Sequence, residues 1–376
     1  MAEVPYIDFY KKHGISPVGQ DISDLNRHFQ RRDSLYRFLG IPPAFLAGRT
    51  VAEFGPGSGH NALFTMSLRP DRYLLVDGNP KGVADTRANL ARHFPDSGRF
   101  EVVESLFEEF DTTERFDLVL CEGFLPHLRD PAGMTRRLAR FVRPGGILVI
   151  TTVSPVSVVA ENLRRLIRTS LIEPNAPASQ QLELLRPVLG SHLATLKGMS
   201  RSVDDWLLDN IVQPVAHAGL LSIPDAVSAL EEEFDLYGAS PAFATDLRWY
   251  KDVHGDDRGF NRTALAAYYG MVANFLDYRV VLGAQPAEIG ERIERLCRAL
   301  WDAMNRCELQ NRVARPAEAI VAAEELAATV LPLSPDTGIA IGEAATFLRG
   351  GRDYGAMRHF PFFWGRGQQY LSFIRR

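Results

Sequence analysis

The sequence of 376 residues contains only three cysteines, Cys121, Cys297 and Cys307, none of them in a Cys-x-x-Cys pair. So few cysteines cannot build a disulfide framework, and their spacing argues against a structural zinc site. An uncharged stretch at residues 145–160 is too short to span a membrane. The first residues mix charged with apolar side chains and lack a signal-peptide core. We therefore expect a cytoplasmic protein without a membrane segment.

An excess of positive charge is also absent. There are 42 Lys and Arg against 46 Asp and Glu, which leaves a formal net charge of −4. This balance disfavours nucleic acid as a partner, because nucleic-acid binding proteins usually carry a basic footprint. Hydrophobic residues make up 46% and charged residues 23%, which is ordinary globular usage and excludes general disorder. At about 150 residues per domain, the length predicts two to three domains.

Short apolar runs alternate with helix-like segments after residue 48. The runs cover residues 50–54, 73–76, 100–103, 116–121 and 147–153. Strands that alternate with helices indicate crossover connections and a parallel sheet. The runs are apolar throughout, as expected for a sheet covered on both faces. Two weaker strands are predicted at 234–238 and 368–374, with helical patterns in the long stretches between them.

The strongest chemical signal follows the first run and reads Glu53-Phe54-Gly55-Pro56-Gly57-Ser58-Gly59. Glycines let the backbone turn tightly and let a ligand approach without obstruction by Cβ atoms. In open parallel sheets, ligands bind beyond the carboxyl ends of the strands. Asp77 ends the second run, where an acidic side chain can accept hydrogen bonds from ribose hydroxyls. The pattern therefore indicates a nucleotide site, although glycines also occur in strand-to-helix turns that bind nothing.

Two kinds of nucleotide remain open at this point. A dinucleotide fingerprint needs a third small residue at position 60, where this sequence has the bulky His60. The third glycine instead stands one place earlier, and an acid precedes the loop. An NAD(P)-dependent oxidoreductase is thus one alternative. A non-catalytic nucleotide-binding or regulatory protein is another, because no essential base can be identified.

The order of motifs resembles class I S-adenosylmethionine-dependent methyltransferases. The GxGxG loop with its preceding acid is similar to their first motif, and Asp77 to their second. Glu104 and Ser105 loosely match the third. The segment from Phe116 to Pro131 resembles their fourth strand and the turn after it, and residues 142–150 resemble their L-x-P-G-G-x-L-x-I pattern. The resemblance covers about residues 50–153 and the two weaker strands.

This resemblance implies an α/β fold: a Rossmann-like mixed sheet, mainly parallel with an antiparallel last strand, plus a helical insertion or lid region. It implies S-adenosyl-L-methionine as the cofactor, and it supplies a set of cofactor-binding residues. They are Glu53, Gly55, Pro56, Gly57, Ser58, Gly59, Asp77, Gly78, Ser105, Leu106, Cys121, Glu122 and Gly123.

A general base is harder to identify. His127 follows the fourth strand, although a loop or helix-capping role is the alternative for a histidine there. Asp246, Tyr250 and His254 stand after the predicted sixth strand, in a stretch rich in aromatic and charged residues. That stretch predicts either an acceptor pocket or an amphipathic connector with a buried Trp249. We predict no metal site, because the HGDDRG segment around His254 lacks a metal-ligand pattern.

The acceptor can be approached only by elimination. The Asn/Asp-Pro-Pro-aromatic motif of amino-directed nucleic-acid methyltransferases is missing, because residues 121–124 read CEGF. Arg164, Arg165 and Arg168 form a basic patch, which predicts a solvated helix face or an anionic acceptor. We predict methyl transfer to the O or N atom of a small or medium metabolite, for instance a sugar or a natural-product intermediate. Homodimerisation stays open.

These patterns divide the chain into one sheet with helical additions. The predicted segments are a helical N-terminal lead-in (1–48), the S-adenosylmethionine-binding core (49–155), a helical insertion (156–233), a core strand (234–240), a helical acceptor or lid region (241–360) and a final core strand (361–376).

Overall fold

The computed structural model describes residues 22–199, 201–213, 219–311, 313–351 and 353–376. These residues fall into two compact units. A sheet unit comprises the described parts of residues 16–152, 219–265 and 368–376. A helical unit comprises those of residues 153–218 and 266–367.

Within the described residues, seven strands form one mixed sheet with the order β3-β2-β1-β4-β5-β7-β6. Strands β1 to β5 pair in parallel, and β7 runs antiparallel to both β5 and β6. This confirms the predicted Rossmann-like α/β fold with an antiparallel last strand. The strands are β1 Thr50–Phe54, β2 Arg72–Asp77, β3 Phe100–Glu104, β4 Phe116–Cys121, β5 Val142–Thr152, β6 Phe234–Ser240 and β7 Gln369–Arg375.

Several helices of the sheet unit begin after a short polar residue whose side chain caps them. Asp24, Asn79 and Asp130 each accept a hydrogen bond from a backbone N–H of the first turn that follows. In chain order the described α-helices are α1 Leu25–Phe38, α2 Pro43–Leu46, α3 His60–Ser67, α4 Pro80–His93, α5 Pro131–Ala139, α6 Val159–Leu171, α7 Ala178–Leu193, α8 Val203–Trp206, α9 Ile223–Leu230, α10 Phe260–Met271, α11 Ala287–Gln310, α12 Ala317–Val330 and α13 Pro335–Gly350.

Helix α1 belongs to the core of the sheet unit. Its Tyr36 is buried in one apolar cluster with Leu63 of α3, Leu75 of β2 and Leu90 of α4. The Tyr36 hydroxyl shares a hydrogen bond of 2.8 Å with Thr65 Oγ1, so its polar end is satisfied inside the core. The packing fixes α1 against the layer of helices that follows the glycine loop.

The division into units differs from the predicted segments on both sides of β6. Residues 219–233 and 241–265 lie in the sheet unit, whereas the sequence patterns assigned them to helical insertions. For residues 219–233 the reason is local packing: α9 lies against α5, and the backbone N–H of Gly219 donates to Leu128 O at 2.7 Å. Residues 361–367 lie in the helical unit rather than with the last strand.

Helix α6 of the helical unit is buried on all sides. Its three arginines were predicted to form a solvated face or to bind an anionic acceptor. The solvated face was wrong, because Arg164, Arg165 and Arg168 are all buried. Arg165 Nη1 and Arg168 Nη1 donate to the same carboxylate oxygen of Glu308, at 3.0 and 3.1 Å. The cations are therefore paired inside the unit and do not form a basic surface.

Arg164 is held by aromatic and backbone groups. Its guanidinium lies 3.8 Å from the ring centroid of Trp364, and its Nη2 donates to Phe363 O at 2.8 Å. Its Nε donates to Nδ1 of His192 at 3.3 Å. Burial and the nearby Arg164 lower the pKa of His192 to about 3, so the imidazole is neutral and can accept this bond.

Among the described residues, no helix has the length and apolarity that crossing a membrane requires.

Candidate functional site

The glycine loop connects β1 to α3 through three left-handed glycines. Gly55, Gly57 and Gly59 have φ values of +78°, +59° and +76°, a region that other residues adopt only with strain. A Cβ atom at Gly59 would lie 2.9 Å from the backbone Cα of Thr86, so here the loop touches α4. A Cβ atom at Gly57 would meet nothing within 4 Å. Gly57 therefore faces open space into which a ligand can come close to the backbone.

Side chains of α4 hold the loop in this shape. Thr86 Oγ1 donates to Gly57 O at 3.0 Å, and Asn89 Nδ2 donates to Ser58 O at 2.8 Å. From the next strand, Asp77 Oδ2 accepts the backbone N–H of Gly57 at 3.1 Å. The loop is thus fixed from two elements before any ligand arrives, which is the preorganisation that a tight nucleotide site needs.

Asp77 ends β2, as predicted, and its carboxylate is largely buried. It accepts the backbone N–H groups of Gly57 and Asn79, at 3.1 and 2.8 Å. Burial raises the pKa of Asp77, although these two bonds oppose that shift. A carboxylate offers about four acceptor positions, so two remain for hydroxyl groups such as those of a ribose.

The turn after β3 forms an apolar wall next to Asp77. The backbone N–H of Ser105 donates to Asp77 O at 3.1 Å. Leu106 is 38% exposed, and its Cδ2 would lie 2.9 Å from a Cβ atom at Gly78. The leucine therefore covers the glycine and leaves apolar surface open, which suits the flat face of a base such as adenine.

At the end of β4, three predicted cofactor residues have different environments. Cys121 is fully buried and burial raises the pKa of its thiol, so the side chain is neither a nucleophile nor an open contact. Gly123 has φ +78°, and its N–H donates to Thr151 Oγ1 at 2.7 Å. Glu122 accepts two hydrogen bonds from Arg32 of α1, at 2.8 and 2.7 Å.

Sequence reasoning missed Arg32, Thr86 and Asn89. Arg32 stands among several charged residues of an amphipathic helix, and nothing in its spacing sets it apart. Thr86 and Asn89 stand at helical spacing in α4, where a polar residue usually faces solvent. Their roles depend on how close α1 and α4 come to the carboxyl edge of the sheet, which no local pattern reveals.

Glu53 precedes the glycine loop and is buried against the neighbouring strand. The Tyr73 hydroxyl donates to its carboxylate. Burial, with a further contribution from Glu122, raises the pKa of Glu53 to about 7. Glu53 therefore supports the loop from inside the sheet, and its protonation state changes near neutral pH.

Replacing Glu53 by Gln should remove one pH-dependent part of the stability. Folded Glu53 keeps its proton up to about pH 7, whereas an unfolded glutamate loses it near its ordinary value of 4.5. Between these values the folded state binds more protons, so this group's contribution to the free energy of unfolding falls as pH rises. Urea denaturation from pH 4 to 8 measures the free energy of unfolding at each pH. This free energy should fall less with rising pH for Glu53→Gln than for the exposed control Glu109→Gln. Parallel profiles for the two variants would contradict this assignment.

The four candidate catalytic residues are placed unequally. The side chain of His127 lies outside the described residues. Asp246 is exposed and bound by Arg248, which lowers its pKa to about 2 and makes it a weak proton acceptor at neutral pH. Tyr250 and His254 are exposed. The alternative of a connector with a buried Trp249 was wrong, because Trp249 is 60% exposed.

The geometry of the loop distinguishes a dinucleotide site from an S-adenosylmethionine site. In a dinucleotide fingerprint the third small residue permits close packing between strand and helix. Here Gly59, one position earlier, makes the close approach to Thr86. His60 begins α3 and shares a contact of 3.1 Å between its carbonyl oxygen and Nε2 of His28. The close packing thus follows the GxGxG register.

The glycine loop lies in a segment that is similar to known methyltransferases. Residues 52–150 match a family described as "Methyltransferase domain". The chain is 32% identical over 123 residues to the tRNA U34 carboxymethyltransferase of Methylococcus capsulatus, a match covering 32% of this chain and 37% of that protein. It is 33% identical over 116 residues to the ubiquinone biosynthesis O-methyltransferase of Pseudomonas paraeruginosa, covering 30% and 47%.

A solved structure is similar over a longer stretch but more distantly. It is PKMT2 from Rickettsia typhi in complex with AdoHcy, at 14% identity and a TM-score of 0.46, covering 65% of this chain and 50% of that one. The chain spans between about a third and a half of the length of the two curated relatives, the carboxymethyltransferase and the O-methyltransferase. The matched segment contains most of β1, all of β2 to β4 and most of β5, with the glycine loop and Asp77. Residues 52–150 of this chain are therefore identified as a methyltransferase domain.

Proposed function

We propose that the whole protein transfers a methyl group from S-adenosylmethionine to an O or N atom of a small or medium metabolite. One observation carries the cofactor half of this proposal. The loop at Gly57 is open to a ligand, while Asp77, Thr86 and Asn89 fix its backbone from the sides. Such a cradle fits a nucleoside whose ribose is bound by the carboxylate and whose base lies on Leu106.

When bound, the cofactor supplies a methyl group already activated by the positive sulfur. The chain has to hold the acceptor in line with that group, exclude water and take up a proton where the acceptor is weakly acidic. In this assignment Asp77 holds the ribose, the open side of Gly57 lets the cofactor come close to the loop, and Leu106 orients the base. His127, Tyr250 and His254 are the proposed proton acceptors, whereas the ion pair with Arg248 makes Asp246 the weakest of the four candidates.

A small acceptor is supported by the distribution of positive charge. The formal net charge is −4, and the three arginines of α6 are buried and bound inside the helical unit. They are therefore not available to bind the phosphate backbone of a nucleic acid. The relatives' names include both a tRNA-modifying enzyme and an O-methyltransferase of ubiquinone biosynthesis, so RNA is the acceptor that a test must exclude.

Replacing Asp77 by Ala should weaken binding of S-adenosylmethionine roughly 10- to 100-fold, because a charge-assisted hydrogen bond contributes about 1.5–3 kcal/mol. Isothermal titration of the wild type and of Asp77→Ala measures this directly. Asp85→Asn is the matched control, since Asp85 is a partly exposed residue of α4 that pairs with Lys81. Equal affinity in Asp77→Ala and wild type would refute the assignment of the ribose site, and binding of NAD in place of S-adenosylmethionine would refute the cofactor.

The acceptor can be identified by transfer of a labelled methyl group. We expect label from S-adenosylmethionine to appear in a small-molecule fraction of a cell extract, and not in purified total tRNA. Label in the tRNA fraction alone would overturn the acceptor class while leaving the cofactor assignment intact. A cytoplasmic location is part of the proposal, supported by three buried cysteines that are all free thiols.

A further inference from the structure

A buried ion pair joins α1 to the carboxyl end of β4 in the sheet unit. Arg32 donates two hydrogen bonds to Glu122, at 2.8 and 2.7 Å, and only 7% of each side chain is exposed. Asn61, in the first turn of α3, donates to the same carboxylate at 3.3 Å. The pair therefore lies beside the helix that follows the glycine loop, at the edge of the sheet where ligands bind.

The charge of this pair reaches the glycine loop. Glu122 raises the pKa of Glu53 and Arg32 lowers it, so both charges act on the carboxyl that precedes the loop. Without Arg32, the carboxylates of Asp77 and Glu122 would together make this edge acidic. Arg32 is held in place by its two bonds to Glu122 and by the ring of Tyr36, whose centroid lies 5.3 Å away. Arg32 thereby cancels the charge of Glu122 where it would otherwise act on a bound cation.

We propose that Arg32 is a positioning residue that sets the preference of the site between S-adenosylmethionine and its demethylated product. This inference rests on the proposed function. The two ligands differ by one methyl group and one positive charge on sulfur, so their affinity ratio reports the electrostatic potential of the site. An uncompensated Glu122 would stabilise the cationic form before transfer more than the transition state, in which that charge is disappearing, and would slow the reaction.

Four proteins test the proposal through the affinity ratio of the two ligands, measured by isothermal titration. Arg32→Met leaves Glu122 uncompensated, and we expect the ratio to shift roughly tenfold towards S-adenosylmethionine. Glu122→Gln leaves Arg32 uncompensated and should shift the ratio by a similar factor in the opposite direction. The double variant Arg32→Met/Glu122→Gln is neutral again, and its ratio should return to within about twofold of the wild type.

Two further variants separate charge from shape. Arg32→Lys keeps the charge but loses the two-pronged geometry, so its ratio should stay near the wild-type value. Arg72→Met is the control for loss of an arginine, because Arg72 pairs with Glu101 and Glu114 on the exposed surface. Its ratio should not change.

The outcomes distinguish the inference from the function on which it rests. If the variants weaken both ligands in parallel and leave the ratio unchanged, the pair is only structural and the inference is wrong. If Arg32→Met does not fold by circular dichroism, Glu122→Gln decides, since an unchanged ratio there also overturns the proposal. If the wild type binds neither ligand, the proposed function itself fails.

Discussion

Replacing Glu308 by Gln should lower the free energy of unfolding by about 3–5 kcal/mol, the usual cost of breaking a buried ion pair by removing one partner. Its carboxylate accepts hydrogen bonds from Arg165 and Arg168, and all three side chains are buried. The glutamine is nearly the same size, so packing is preserved while two guanidinium groups lose their counter-charge. Urea denaturation at pH 7 measures the difference.

The matched control is Glu318→Gln. Glu318 lies in the first turn of α12 and pairs with Arg306 at 2.7 Å, but both side chains are more than half exposed. Exposed pairs contribute about 0–1 kcal/mol, because water and ions compete for both charges. If the two variants lose similar stability, the α6 arginines are not supported by Glu308, and our account of the buried cluster fails.

A third variant tests why this cluster is charged at all. Replacing Arg165 and Arg168 by Met together with Glu308→Leu removes all three charges while keeping most of the volume. Buried ion clusters exchanged for apolar residues are often neutral in stability or stabilising, because no charged group then has to lose its hydration shell. The triple variant should therefore recover most of the stability that Glu308→Gln loses, and a further loss would contradict this explanation.

The sheet could be predicted from sequence because its determinants are local. Each of β1 to β4 is a largely apolar strand of five or six residues, and the structure places these strands within a residue or two of the predicted bounds. The glycine loop and Asp77 are likewise defined by residue type and spacing, since only glycine adopts these backbone angles without strain. Local residue types and their spacing were therefore sufficient to predict the strands, the glycine loop and Asp77.

The arginines of α6 show where local reasoning ends. Three arginines on a helix normally indicate a solvated face, and the partner that reverses this expectation, Glu308, lies 140 residues after Arg168. Arg32 was missed for the same reason, because Glu122 is 90 residues away. Such pairs depend on long-range packing, and a single sequence carries no mark of which distant acid will meet which base.

Alanine substitutions at Gly57, Gly59 and Gly98 should separate three effects: backbone strain at positive φ, steric contact with α4, and obstruction of the ligand. Gly98 lies outside the glycine loop and serves as the reference. All three glycines have positive φ, of +59°, +76° and +51°, so each alanine variant pays a backbone cost of about 1–2 kcal/mol. Gly98 precedes β3 on the surface, and a Cβ atom there would meet nothing within 4 Å. Gly98→Ala therefore measures the backbone cost alone.

Gly59→Ala adds a steric cost to the backbone cost. Its Cβ atom would lie 2.9 Å from the backbone Cα of Thr86, which a side-chain rotation cannot relieve, so α4 has to move. Overpacking of this kind costs about 1–3 kcal/mol beyond the strain. We expect Gly59→Ala to be clearly less stable than Gly98→Ala in urea denaturation, and equal stability would mean that the loop and α4 are not in close contact.

Gly57→Ala should instead lose the ligand and keep the fold. Its Cβ atom would point into empty space, so its stability should equal that of Gly98→Ala. If that space is where the cofactor approaches the backbone, the added methyl group should weaken binding of S-adenosylmethionine about 10- to 100-fold, the equivalent of a steric overlap of about 1–3 kcal/mol. Isothermal titration compares the affinity of Gly57→Ala and Gly98→Ala for S-adenosylmethionine, at matched stability. Equal affinity would place the cofactor elsewhere, because a ligand seated on this loop cannot avoid a side chain at its open glycine.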